Sequence, residues 1–276
     1  MPSKEKLFVV VDPTDDVNVA LRRAIVVAGR REVAPILRIF ISVDGSAVDT
    51  RAENDKLFRG TDWFESEIKK PLDEAGVNYD IEMSWSSEWQ WAIQRSASHF
   101  GATTIYLPVH SRANRRRFTF AESKWELLKS SSCPVILVRP NTKVRDQKII
   151  LAAVNFQAES QVQKAMNKDI VERAQLAAKS SGAELHIVNA YIDSSLYPDR
   201  GKLANITKLP PENIHVELGY TDEVVSDVAN RLNAGILIIG TLGQTGKRST
   251  IRRGNTAERV IAAVGCDVMV FNDASL

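Results

Sequence analysis

Short apolar runs alternate with amphipathic stretches along the whole chain. Residues 7–11 form a continuous apolar run, the pattern of a strand buried on both faces. Residues 17–29 place Ala20, Ala24, Val27 and Ala28 on one side at helical spacing and end on a glycine, which predicts a helix. Residues 36–43 predict a second strand, and residues 62–75 a helix stopped by Gly76. Residues 79–85 alternate and predict a third strand. A helix over 88–100, a strand over 104–109, a helix over 122–130 and a strand over 134–138 complete the first half. Strands separated by helices imply right-handed crossovers and a parallel sheet with helices on both faces.

The same order of segments then recurs. KLFVVVD at Lys6–Asp12 returns as KIILAAVN at Lys148–Asn155. FGATTIYLP before Val109 returns as LNAGILIIG before Thr241, and CPVILV at Cys133 as CDVMVF at Cys266. Weak residue similarity with a shared order of apolar runs signals an internal duplication. Two domains are therefore expected, 1–142 and 143–276, with the polar stretch 139–147 as linker. The second half is shorter by about one helix between its second strand, 185–192, and its fourth, 236–239. Residues 194–211, which hold Pro198, Gly201, Pro210 and Pro211, predict a loop or a short helical turn there.

Composition narrows the function without naming it. The chain has 276 residues, 44% hydrophobic and 25% charged, within the range of globular domains. Lys+Arg 36 against Asp+Glu 34 leaves a net charge of +2, too balanced for a dedicated nucleic-acid binder. No apolar run approaches a membrane span, and the N-terminal apolar run is too short for a secretory signal. The two cysteines, Cys133 and Cys266, read as small buried apolar groups and fit a reducing cytoplasm.

The stretch after the strand at 236–239 carries the most chemistry. It reads GTLGQTGKRSTIRRGNTAERVI, from Gly240. Ligands of open α/β sheets bind beyond the carboxyl ends of the strands, where this stretch begins. Gly240 and Gly243 let the backbone turn and approach a ligand. Gly254, Asn255 and Thr256 open the next helix, whose free N–H groups suit a phosphate. Thr256 or Asn255 can instead simply cap that helix.

The spacing resembles the G-x2-G-x9-G-[ST] signature of the universal stress protein family, and the tandem arrangement with GNTAE resembles its E-type members. The loop here is one residue longer, and Asn255 stands where a small hydroxyl residue is usual. The resemblance implies two tandem Rossmann-like domains of the adenine nucleotide alpha hydrolase-like kind, each with a five-stranded parallel sheet and helices on both faces. It implies ATP, with or without Mg2+, held by Gly240, Gly243, Gly254, Asn255 and Thr256, with Asn155 and Ala190 near the base. Family sites carry an Asp at the end of the first strand, where this half has Asn155, and Asn can donate as well as accept. The resemblance further implies an intramolecular pseudo-dimer through the last strands, 135–138 and 268–271; a homodimer is compatible with it.

The first half has Asp12 at that position but not the rest of the motif. Pro108 and Ser111 replace the first two glycines, and Ala121, Glu122 and Ser123 replace Gly254-Asn255-Thr256. Proline removes a backbone donor, and a carboxylate opposes phosphate. This half is not expected to bind ATP in the usual way, and Asp12 is expected to be a structural cap. Both crevice loops are basic, with Arg112, Arg115, Arg116 and Arg117 in one and Lys247, Arg248, Arg252 and Arg253 in the other. They read as solvated charge or as contacts to a phosphate, a lipid headgroup or RNA. Trp85, Trp89, Trp91 and Trp125 read as core or repeat-interface packing rather than as a stacking platform.

Enzymatic motifs fail. No P-loop spacing, GxSxG elbow, metal-spaced histidines or CxxC is present, and His186 reads as structural. The expected function is a nucleotide-binding stress-response module without efficient catalysis, with which slow ATP turnover is compatible. The alternative is a scaffold whose pocket is vestigial or holds a lipid-like ligand. RNA binding is disfavoured by the low net charge.

Overall fold

The computed structural model describes residues 4–109, 122–140, 148–241 and 256–272, with side chains from Trp125 onward in the helix that opens at Glu122. The chain divides into two compact units. One comprises Met1–His110 with Ser131–Pro140, the other Ser111–Ser130 with Asn141–Leu276.

In the first unit, β1 (Lys6–Val11) pairs in parallel with β2 (Ile36–Asp44) on one side and β4 (Thr104–Pro108) on the other. Then β3 (Asn78–Ser86) extends β2, and β5 (Val135–Val138) extends β4, both in parallel. Every residue of β5 and all but one of β1 is buried, as the continuous apolar runs require. Helix α1 (Val19–Gly29) buries Ala20, Leu21, Ala24 and Ala28, but Val27 is only half-buried. The segment predicted as one helix over 62–75 is helical but mixed. It runs as α2 (Thr61–Trp63), a π-helical stretch (Phe64–Lys69) and α3 (Lys70–Glu74). Pro71 has no N–H to give to the turn before it, and the π register, with Lys70 N donating to Glu65 O, absorbs the gap. Helix α4 (Trp89–Phe100) ends on Gly101 at φ +71°, and Lys6 Nζ caps the Phe100 carbonyl at 2.9 Å.

The second unit repeats the plan. Here β6 (Ile149–Ala153) pairs in parallel with β7 (Glu184–Tyr191) and with β9 (Ile236–Thr241). Strand β8 (Ile214–Leu218) extends β7, and β10 (Asp267–Asn272) extends β9. Helix α6 (Gln161–Ser181) begins on Ser160, whose hydroxyl accepts from Gln163 N. Its Met166, Ile170, Ala174 and Ala178 recur every four residues and pack with Ile150, Ala152, Leu185, Ile187 and Ile238. Helices α8 (Thr221–Arg231) and α9 (Thr256–Ala263) pack together. Both units are thus five-stranded parallel α/β sheets with helices on both faces, as expected.

Residues 194–211 differ from the expectation of a loop or short turn. They hold a 3-10 turn (Ser194–Leu196) and α7 (Arg200–Thr207), two turns long. Asp199 accepts from Gly201 N and Lys202 N, capping this helix in spite of the surrounding prolines. The second half therefore keeps a helix between its second and third strands, in a shorter form.

A second departure concerns α5 (Glu122–Ser130). Its sequence belongs to the first repeat, but it lies in the second unit, against β10. There Asn272 Nδ2 donates to Leu128 O at 2.7 Å. Trp125 is buried in this helix, as expected of a packing tryptophan. Trp85 and Trp91 are not: they are 55% and 59% exposed, and Trp85 rests on Phe58 with ring centroids 4.6 Å apart. A sheet-edge residue and a first-turn helix residue have no layer above them to fill.

Candidate functional site

In the second unit β6 lies between β7 and β9; the chain leaves β6 toward β7 and leaves β9 toward β10, so the connections from these two neighbouring carboxyl ends run in opposite directions. Such a switch point opens a crevice by topology alone. The cleft found there has a volume of about 470 Å³. Asn155, Ala190, Gly240 and Thr256 all line it, four residues that the sequence singled out. Gly243, Gly254 and Asn255 lie outside the described residues, as do the two arginine-rich loops at 112–117 and 247–253.

Asn155 lies two residues beyond the end of β6 and is exposed at the mouth. Its backbone is held from α6. Asn167 Oδ1 accepts from Asn155 N at 3.1 Å, and Asn167 Nδ2 donates to Asn155 O at 2.6 Å. Asn167 is buried, so this clamp replaces water that the strand end would otherwise keep. Ala190 ends β7, and its carbonyl accepts from Gln157 Nε2 at 3.3 Å and Asn189 Nδ2 at 3.1 Å. Asn189 is fully buried, and its Oδ1 accepts from Phe156 N at 2.8 Å. Thr256 begins α9 and is exposed, so its hydroxyl and the first free N–H groups of that helix stand at the rim.

Gly240 serves a different neighbour from the one expected. A Cβ built on it would lie 2.2 Å from Met166 Sδ and 3.0 Å from Ile170 Cδ1. The side-chain-free space is filled by α6, so Gly240 admits a packed helix as well as lining the cleft. The other walls are Gln157, Gln163, Asn167, Thr221 and Thr241, with apolar Met166, Ile170, Tyr191, Ile192, Leu196 and Val260. No described lining residue is ionisable apart from the phenol of Tyr191. Sequence reasoning missed Gln157, Asn167, Asn189 and Met166; the density of carboxamides at Asn155, Gln157, Gln163, Asn167 and Asn189 was the available signal.

The matching crevice of the first unit is arranged otherwise. Asp12 Oδ1 accepts from Thr14 N at 2.9 Å and Thr14 Oγ1 at 2.6 Å, a turn cap of the kind expected. Arg59 Nε donates to Pro13 O at 2.8 Å, and Lys56 pairs with Asp16 at 2.9 Å. The segment that follows β2 is therefore tied across the loop leaving β1. Pro108 ends β4 within the buried sheet. Ser111 and Ala121 lie outside the described residues, as do the side chains of Glu122 and Ser123.

Away from both crevices, His186 on β7 and His215 on β8 stack with centroids 5.3 Å apart, and their ring nitrogens meet at 3.0 Å. Burial, then the His186 ring, push the His215 pKa down. Cys133 and Cys266 are both buried, and neither forms a disulfide. Burial raises the Cys133 thiol to about 11, as an inert packing thiol requires. No group of three or more metal-ligating side chains stands together among the described residues. No helix of these residues is long and apolar enough to cross a membrane.

This fold, an open parallel α/β sheet duplicated in one chain with a cleft at the switch point of the second unit, defines a class of tandem α/β proteins. Comparison narrows the class. Residues 195–272 match the model of the universal stress protein family. The chain is 29% identical over 302 residues to universal stress protein E of Escherichia coli strain K12, covering 98% of this chain and 95% of that protein. The chain is thus similar to the E-type universal stress proteins along nearly its whole length, with the family's own model matched in the second unit. Two solved structures share its fold along its length. A putative universal stress protein from Pseudomonas aeruginosa UCBPP-PA14 superposes with a TM-score of 0.76 at 21% identity, covering 98% of this chain and 94% of that one. A universal stress protein from Archaeoglobus fulgidus superposes with 0.71 at 16% identity, covering 98% and 99%.

Proposed function

We propose that the second unit binds an adenine nucleotide, ATP with or without Mg2+, in the cleft between β6, β7 and β9, and that occupancy regulates the protein's role in stress resistance. The observation that carries this reading is the convergence of Asn155, Ala190, Gly240 and Thr256 on one cleft at the switch point. A volume near 470 Å³ is within the range of small-molecule sites. The base and ribose would lie against Ala190 and Asn155. The phosphates would extend toward Thr256 and the start of α9, where N–H groups and the helix dipole favour an anion. Gly243, Gly254 and Asn255 complete the phosphate loop in this reading. No described wall residue offers a carboxylate, so Mg2+ would arrive with the phosphates rather than be held by the protein.

The same walls argue against efficient catalysis. Among the described lining residues no Asp, Glu, His or Lys stands ready as a general base. The domain boundary in this reading stays at about residue 143 in sequence, with 1–142 carrying the degenerate site and 143–276 the competent one. A second reading, in which the first unit acts as a scaffold, is favoured by the Arg59 and Lys56 ties across its crevice.

Thermal unfolding with and without ATP tests the first reading. Ligand at about 100 times its Kd stabilises by about 2.7 kcal/mol, a shift of several degrees. Gly243→Glu should abolish the shift, since a carboxylate beside the phosphates opposes them, while the unliganded protein still unfolds cooperatively. Mass spectrometry of whatever the denatured protein releases identifies the natural ligand. A Tm indifferent to millimolar ATP, with no nucleotide released, would end the proposal.

A further inference from the structure

The carbonyl of Ala190, near the end of β7 on the cleft lining, is already engaged as an acceptor. The orientation of the groups around it follows from a single donor. Phe156 N can only donate, so the Asn189 atom that meets it at 2.8 Å is Oδ1. Asn189 Nδ2 must then face the other way, toward Gln157 Oε1 at 3.0 Å and Ala190 O at 3.1 Å. That in turn fixes the Gln157 amide, whose Nε2 meets Ala190 O at 3.3 Å. A carbonyl has two lone pairs, and both are taken. Asn189 is fully buried and held at both ends of its amide, whereas Gln157 is half-buried and makes the longer bond. Gln157 is therefore the group that gives way.

We propose that the Gln157 carboxamide is an internal competitor for the Ala190 carbonyl and so weakens binding of bases that present an amino group there. This rests on the nucleotide reading above. An amino group on a base displaces Nε2 and takes the carbonyl as its acceptor. A base that presents an oxygen at the same place leaves Gln157 seated or receives a bond from its Nε2. The protein thus tolerates both kinds of base, at the expense of affinity for the amino kind. Gln157 lies on the loop between β6 and α6 and is itself part of neither core cluster, so its removal should spare the fold.

Titration calorimetry with ATP and with inosine triphosphate, whose base carries oxygen in place of the amino group, tests this on the full chain. The unmodified protein should bind the two within about threefold of each other. Gln157→Ala should tighten ATP about fivefold, the equivalent of one competing hydrogen bond, and leave inosine triphosphate unchanged or weaker. Gln157→Ser, too short to reach Ala190, should behave alike and guards against a folding defect in the first variant. General loosening of the loop would move both nucleotides together and overturn the proposal, as would ATP binding that is unchanged or weaker. If the unmodified protein and both variants bind neither nucleotide, the nucleotide reading itself falls and takes this inference with it. If the unmodified protein binds and both variants lose ATP alone, Gln157 is a ligand contact and not a competitor.

Discussion

At Gly240 the room left by the missing Cβ belongs to Met166 and Ile170. Gly240→Ala should therefore destabilise the protein by about 1–3 kcal/mol through overpacking, read as a lower Tm. In a Met166→Ala background the same change should cost less, because the obstructing sulfur is gone. The sequence identified the glycine and its place at a strand exit but not its neighbour, since the four-residue periodicity of α6 gives a face and no crossing point. Asn155 and Ala190 came from the family resemblance and not from the apolar pattern, and the structure places both on the lining of one cleft. Gln157, Asn167 and Asn189 were not legible, because a carboxamide signals a role only when its partners are known. Cys133 illustrates the legible extreme. Its thiol, raised to about 11, should resist alkylation at pH 8 in the native protein and react readily once unfolded.

At the scale of elements, the paired histidines join β7 to β8 by a contact that a doubly protonated pair cannot keep. His215 also feels Arg231 and Arg200, which disfavour its charge, and Glu217, which favours it. Glu184 lies 3.3 Å from His186. A histidine with a depressed folded pKa leaves more protons on the unfolded chain. Its contribution is thus full above about pH 6.5, the unfolded value, and is lost as pH falls from there through the folded one. Thermal unfolding followed from pH 8 to pH 5 should show this decline, and His215→Gln should flatten it. The strands given bounds in the sequence lie within two residues of those found, because burial on both faces imposes continuous apolar runs, whereas α6, α8 and β8 were expected only as repeats of the first half. Two segments differ in kind. The π-helical register before Pro71 depends on how a chain accommodates one absent N–H, and α7 depends on a single aspartate cap amid prolines. Neither leaves a periodic trace.

At the scale of the whole molecule, duplication was plain in sequence because the order of runs survives when residue identity does not. Where the chain parts in space was not, since the polar stretch at 139–147 marks a repeat boundary and says nothing about which sheet a helix joins. The placement of α5 in the second unit supplies that information. A polypeptide of residues 143–276 alone should fold less stably than the intact chain, because Asn272 Nδ2 loses the Leu128 carbonyl and β10 loses its covering helix. Restoring residues 111–130 as a separate peptide should recover part of that stability, measured by chemical denaturation.

The duplication therefore left a debt in the lineage: the later copy borrows a piece encoded by the earlier one. A cut at the tidy seam between repeats would part β10 from the helix that covers it and leave the second product incomplete.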